Sequence, residues 1–366
     1  MHVLQLLNSL ICVSCVYCYV ASQNHGKTSN AQGLDIPHIP VKSNYEENIC
    51  PDPDEIWPCQ CVQEESDGGL SMICHDVQDS VELRRVFKAD FPTTNFSHLY
   101  MFDNYGVRVL DAGIFGNVTF THFSLTFGAL KEVHEGALQG STGTVVVMDF
   151  NGNRIHKFDP LSNLSIYPKL KMVDLCFNHL PSIPSVMLSD SITHLNISYN
   201  PIGELPIGAF AGLTQLKYAH IWETGLSDIK PGIFTDIDTL EYVSLEFNQL
   251  EYLPVDAVTC TNCNLTMVDL NHNYRLREVE PGAITITPGM QIDLYGCNMT
   301  QVQEATWRPV LQQQAILWLY ENPLECGCDI AWLVRQKELL KHVKGAICSD
   351  GSYIRLKDPA DYDICP

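Results

Sequence analysis

The side chains that could do chemistry are unevenly spread. Two acidic pairs stand at similar intervals, Asp149 with Asp174 and Asp269 with Asp293, and His220 lies between them in the chain. Paired carboxylates can share a proton for acid–base work or hold a divalent cation. Calcium needs six or more oxygen ligands, and no such set is visible around either pair. His220 has no nucleophile placed beside it, and there is no G-x-S-x-G, H-E-x-x-H or glycine-rich phosphate loop. If the acidic pairs lie on an open surface, they lack the enclosure in which carboxyl pKa values are tuned. The expectation is a chain that is not an enzyme and needs no cofactor or metal.

Cysteine chemistry points to a compartment. Cys12, Cys15 and Cys18 lie in MHVLQLLNSLICVSCVYCYVAS, residues 1–22, which has no charged side chain and closes on the small residues Ala21 and Ser22. This fits a signal peptide. A membrane anchor is the rival reading, at the short end of the necessary length. No later stretch approaches that length, so we expect a secreted, extracellular chain with no membrane span. Residues 23–49, polar with scattered Pro and Gly, read as a flexible leader. Cys50, Cys59, Cys61 and Cys74 form one group, and Cys326, Cys328, Cys348 and Cys365 another. In a secreted chain such groups mean disulfides before metal. Zinc is the competing reading, weakened by the lack of a pair of C-x2-C motifs. Cys260 and Cys263 suggest a local disulfide. Six N-x-[ST] sequons, at Asn95, Asn117, Asn163, Asn196, Asn264 and Asn298, suggest glycosylation. The net charge of −21 disfavours nucleic acid and anionic lipid as partners. It serves solubility, or a preference for cationic partners.

The elements that must position these residues come from a repeat. LEYVSLEFNQL (240–250) matches LKMVDLCFNHL (170–180) and ITHLNISYNPI (192–202), and LTMVDLNHNYR (265–275) as far as its amide. The shared pattern is L-x-x-L-x-L-x-x-N-x-L. Its amide position falls at Asn104, Gly128, Asn153, Asn178, Asn200, Thr224, Asn248, Asn273, Cys297 and Asn322, at intervals of 22 to 25 residues. This is the leucine-rich-repeat signature. The fold class expected is an α/β-type solenoid, a horseshoe of about ten repeats with a parallel concave sheet and an irregular convex side. The leucines pack between turns, which are stable only through neighbours. The amide is expected to satisfy backbone groups of adjoining turns. Gly128 has no such side chain, so a water or a shifted turn is expected there.

Two columns of side chains then line the concave sheet. The position between the second and third apolar residues carries Tyr100, Ser124, Asp149, Asp174, Asn196, His220, Ser244, Asp269, Asp293 and Trp318. The position after the third carries Phe102, Thr126, Asn151, Cys176, Ser198, Trp222, Glu246, Asn271, Tyr295 and Tyr320. This acidic and aromatic face is the candidate partner-binding surface, although Trp318 and Tyr320 could instead pack on the end of the stack. Cys176, on this face, is expected as a free thiol or a link to another chain. Cys297 is expected as a buried ladder residue. At about 4.8 Å per strand they lie roughly 24 Å apart, beyond disulfide reach. A glycan on Asn196 would occupy the centre of the face.

The terminal groups, CPDPDEIWPCQC with Cys74 and NPLECGCDIAWL with Cys348 and Cys365, resemble the cysteine-rich caps of extracellular leucine-rich-repeat proteins. The resemblance implies the pairs Cys50–Cys61, Cys59–Cys74, Cys326–Cys348 and Cys328–Cys365. CDIAWLVRQKELLKHV reads as an amphipathic helix over the last turn. The organisation is a signal peptide over 1–22, a leader over 23–49, a cap over 50–92, repeats over 93–322 and a cap over 323–366. At the level of the whole chain, LRRVFKADFPTTNFSHLYMFDN and VLDAGIFGNVTFTHFSLTFGALKEVHEGAL carry a narrower likeness. They resemble the family of the non-catalytic, leucine-rich-repeat subunit of deep-sea shrimp (Oplophorus-type) luciferase and its crustacean relatives. That likeness implies an accessory role beside a small secreted catalytic subunit. Three functions follow: a secreted binding solenoid with a protein partner, an accessory subunit of a luciferase-like monooxygenase complex, or an extracellular recognition protein in adhesion or innate immunity.

Overall fold

The computed structural model describes residues 49–64 and 68–365. The signal-peptide and leader expectations fall, all but residue 49, outside them. Thirteen described strands make one sheet. It opens with an antiparallel pair, Cys59–Gln63 with Leu70–Cys74, and continues in parallel from Asn95–Phe102 to Val343–Lys344. Pairing is residue for residue. Val173 faces Leu195, Leu195 faces Ala219 and Ala219 faces Val243, so each repeat repeats the last in register. Period-2 alternation sends Val173 and Leu175 inward, and Leu170 and Leu180 join them from the turns on either side, all fully or almost fully buried.

The amide row does what its position requires. Asn248 Nδ2 donates to Ile221 O in the preceding turn at 2.9 Å and to Leu245 O in its own at 3.0 Å. Its Oδ1 accepts from Thr224 N and Leu226 N at 3.0 and 3.1 Å. Asn104, Asn153, Asn178, Asn200, Asn273 and Asn322 each likewise donate to a carbonyl of the turn before. At the Cys297 position the thiol reaches Leu270 O at 3.4 Å, and burial pushes it up to about 12. At Gly128 the turns close up instead. Ala129 N donates to Asn104 O at 3.3 Å, and a Cβ on Gly128 would stand 2.9 Å from that oxygen.

The convex side is built from short bridges, such as Leu188–Ser189 with Gly212–Leu213 and Tyr252–Leu253 with Glu278–Val279. Phe210 and Phe234 stack beneath it, ring centres 5.5 Å apart. One turn carries a true helix, Glu304–Gln312. At the N-terminal end Asp79 caps a helix over Ser80–Val86, after which Phe87 packs edge-on against Phe115 and Phe120. Disulfides join Cys50–Cys61, Cys59–Cys74, Cys260–Cys263, Cys326–Cys348 and Cys328–Cys365.

The helix expected over CDIAWLVRQKELLKHV is broken. A 3-10 turn at Cys328–Ile330 leads into Ala331–Val334, and a second helix covers Lys337–Leu340. Gln336 between them is non-helical, at φ −118 and ψ 75. Beside the break, Arg335 donates to Tyr362 O and Cys365 O, and Trp332 Nε1 donates to Val302 O at 3.0 Å. These tertiary anchors just before the break outweigh helical continuity.

Candidate partner-binding face

The first predicted column has a different job from the one its sequence suggests. Asp149, Asp174, Asp269 and Asp293 each use Oδ1 to accept the backbone N–H two residues on, at Asn151, Cys176, Asn271 and Tyr295, over 2.8 to 3.2 Å. Asn196 does the same for Ser198 at 3.1 Å. Short Asp and Asn side chains are suited to this capture. These five residues of the column therefore cap strand ends. Asp174 is 0% exposed and Asp269 is 6% exposed, so these two are withdrawn from the recognition surface. Asn196 is 5% exposed and its Nδ2 donates to Asp174 Oδ2 at 3.1 Å, which leaves no room for a glycan. The sequon asparagines Asn95, Asn117, Asn264 and Asn298 are exposed, and Asn163 is half-buried.

The expectation of an open acidic face is also corrected. Burial raises the Asp149 and Asp174 carboxyls above the usual range, and Asp149's charge raises Asp174 further. Burial raises Asp269 as well, followed by the neighbouring charge of Glu246, and it raises Asp293. His194 and His220 go the other way, each lowered to about 4, chiefly by burial. His220 stands between Asn196 and Ser244 in register, and the Ser244 hydroxyl donates to Glu246 at 2.9 Å. No Ser–His–Asp relay is assembled there. Among the described residues no group of three or more His, Cys, Asp or Glu side chains is placed to hold a metal ion.

The second column forms floor and walls. Its short members Thr126, Asn151, Cys176 and Ser198 are buried. Cys176, expected on exposed surface, is 0% exposed, because a short side chain in this column lies below the larger ones. Phe102, Trp222, Glu246 and Tyr295 are half-buried, and Tyr320 is 41% exposed. Tyr320 also lies against Gly345 of the C-terminal cap, so it packs on the stack's end as well as facing out. Trp318 Nε1 donates to Gln291 Oε1 at 3.2 Å.

Two further rows were missed. Strand alternation places a third column on the same face, at the residue before the second apolar position. It holds His98, His122, His194, Tyr218 and Tyr242. His98 stacks on His122 at 4.3 Å, and His194 on Tyr218 at 4.5 Å. The repeat pattern contained this column at its second variable site. The other row is the residue just before each amide, which turns left-handed at every repeat: Phe127, Phe177, Tyr199, Glu223, Phe247 and His272 have φ between 49 and 55. Bulky residues seldom adopt that conformation, and here its recurrence aims rings along one rim of the sheet. Phe177 stacks on Tyr199 at 3.9 Å with Trp222 edge-on, and Phe247 stacks on His272 at 4.4 Å. Aromatics in the sites before Asn178, Asn200 and Asn248 were the available signal.

Fold and face together define a leucine-rich-repeat solenoid with disulfide-closed ends. A family model described as Leucine Rich Repeat matches residues 191–213. The chain is 31% identical to the Oplophorus-luciferin 2-monooxygenase non-catalytic subunit of Oplophorus gracilirostris, over 85% of this chain and 86% of that protein. It belongs to that family. Chicken (Gallus gallus) lumican is 28% identical over 42% of this chain and 44% of its own length. A chain from the octameric complex of Latrophilin 3, Unc5D and FLRT2 superposes with a TM-score of 0.57 at 17% identity, covering 81% of this chain and 90% of that one. A chain of the TLR13–ssRNA13 complex gives 0.51 at 20% identity, covering 69% of this chain and 32% of that one. These two show the fold. No helix among the described residues is long and apolar enough to cross a membrane.

Proposed function

We propose that this chain is a secreted, non-catalytic subunit that recognises a protein partner through its concave face and presents it, or steadies it, without doing chemistry. The supporting observation is the likeness to a non-catalytic subunit along 85% of this chain and 86% of that protein. The partner in this reading is a small secreted catalytic protein. The residues proposed to meet it are Tyr100, Phe102, His220, Trp222, Glu246, Tyr295, Trp318 and Tyr320, with Asp149 and Asp293 at the margins. The accompanying organisation is a signal peptide over 1–22, a leader over 23–49, a cap over 50–92, repeats over 93–322 and a cap over 323–366. Glycans go on the exposed sequons.

A second reading, extracellular recognition in adhesion or immunity, draws on the partial likeness to lumican. Pull-down with the full chain from the secreting tissue, followed by mass spectrometry, separates the two. The accessory reading expects one small catalytic protein in stoichiometric amount. Capture of cell-surface receptors or of microbial polysaccharide instead favours the second. A monomer that retains nothing removes both, and turnover by the purified chain alone would overturn the non-catalytic assignment.

A further inference from the structure

Charge is distributed unequally along the concave face. In the second column the N-terminal members Phe102, Thr126, Asn151, Cys176 and Ser198 carry no charge. The N-terminal half keeps Asp103 on the rim and Asp149 and Asp174 in the first column, whereas from Trp222 onward the two columns and the rim gather Glu223, Glu246, Asp269, Asp293 and Glu321. Rings line this half as well as the N-terminal one, where Tyr100 stacks on Phe102 at 5.6 Å. Trp222 lies edge-on to the Phe177–Tyr199 stack, His272 bridges Phe247 and Tyr295, and Tyr295 leads on to Tyr320 at 6.4 Å. Neither the column from Trp222 to Tyr320 nor the rim from Glu223 to Glu321 contains a lysine or arginine. The basic residue in register with Trp318, Lys344, sits at the far end, where its Nζ donates to Lys341 O.

We propose that this lane docks an extended segment of the partner that carries arginine or lysine side chains. The inference rests on the reading of the chain as a partner-binding subunit and names the partner's chemistry. Rings beside carboxylates are what a guanidinium uses, since it packs flat on an aromatic face and forks onto a carboxylate. The lane's size agrees. Five successive strands, from Trp222 to Tyr320, span about 19 Å at roughly 4.8 Å each, the reach of about six residues of extended chain. Burial first, and then the charge of neighbouring Glu246, raises the Asp269 carboxyl, so two acidic groups stand close together within the lane.

The test uses the secreted full chain and fluorescein-labelled hexapeptides of alternating Arg and Ala, with Asp-for-Arg peptides as controls. Anisotropy is read at several salt concentrations. The Arg peptide binds and the Asp peptide does not. Trp222→Ala weakens binding about tenfold, as expected for an interface anchor, and Glu246→Gln about fivefold. Glu246→Gln is the arm that survives if loss of Trp222 disturbs packing; melting temperature shows whether it does. Glu278→Gln, on the convex strand Glu278–Val279, makes the same charge change and leaves binding unaltered. Equal losses for Glu246→Gln and Glu278→Gln, or equal binding of both peptides, overturn the lane. The same variants go into the partner pull-down. Partner retained at full level by Trp222→Ala and Glu246→Gln also overturns the lane while leaving the accessory reading standing. If the unaltered chain captures no partner, the accessory reading falls, and the peptide arms alone decide whether the lane takes cations.

Discussion

Asn248 shows how one carboxamide can hold two turns together. It donates to Ile221 O and Leu245 O and accepts from Thr224 N and Leu226 N, all of them buried. Asn248→Ala leaves several of these groups unpaired, each costing about 1–3 kcal/mol. Allowing for relaxation, the loss should be about 2–4 kcal/mol, read as a lower urea midpoint. Titration supplies a second test. The raised Asp149 and Asp174 carboxyls bind protons more tightly when folded, so their contribution to stability falls as pH rises from the ordinary carboxylate range toward neutrality. His194 and His220, lowered to about 4, bind protons less tightly when folded, so their contribution is lost as pH falls from about 6.5 toward 4. The two trends oppose each other over one window. Compared with the unaltered chain, Asp174→Asn should make the midpoint fall less, or climb more, as pH rises between 4 and 7, and His220→Gln should make it fall more, with the raised Asp269 and Asp293 carboxyls common to both backgrounds. Urea titrations across that window would check both. The amide row was legible in the sequence because it recurs every 22 to 25 residues within one apolar pattern. The role of the aspartate column was not, since an Asp facing solvent and an Asp capping a strand end look the same in one dimension.

Among elements, strands and register were legible and local breaks were not. Alternation of apolar residues identifies which side chains face inward, and the structure pairs them turn by turn. The same alternation implied the column of His194, Tyr218 and Tyr242, passed over because the eye rests on positions flanked by leucines. The interruption at Gln336 depends on Arg335 reaching Tyr362 O and Cys365 O, contacts with no local signature. Gly128 is the element-scale test. A Cβ there would meet Asn104 O at 2.9 Å and Asn153 Oδ1 at 3.0 Å, whereas one on Gly143 would meet nothing within 4 Å. Gly128→Ala should cost about 1–3 kcal/mol, the usual penalty for crowding a packed site. Gly143→Ala should be close to neutral. Thermal melts of the two variants side by side would show it.

For the molecule as a whole, the stack lives on contacts between neighbours, and its ends are where neighbours run out. Cys326–Cys348 and Cys328–Cys365 tie down the segment that covers the last turn, with Trp332 and Leu340 buried beneath. Replacing Cys326 and Cys348 by serine should cost about 3 kcal/mol in the chain-entropy view. Hydrogen exchange should show the loss first at the C-terminal turns and only later in the middle. A result spread evenly from the start would mean the repeats melt as one unit. The identical register from each strand to the next has a consequence for ancestry. A duplication or deletion that adds or removes one complete coil keeps every remaining pairing, so descendants can vary the length of their inner surface in steps of a single strand, whereas a slip of one amino acid within a strand scrambles everything it touches.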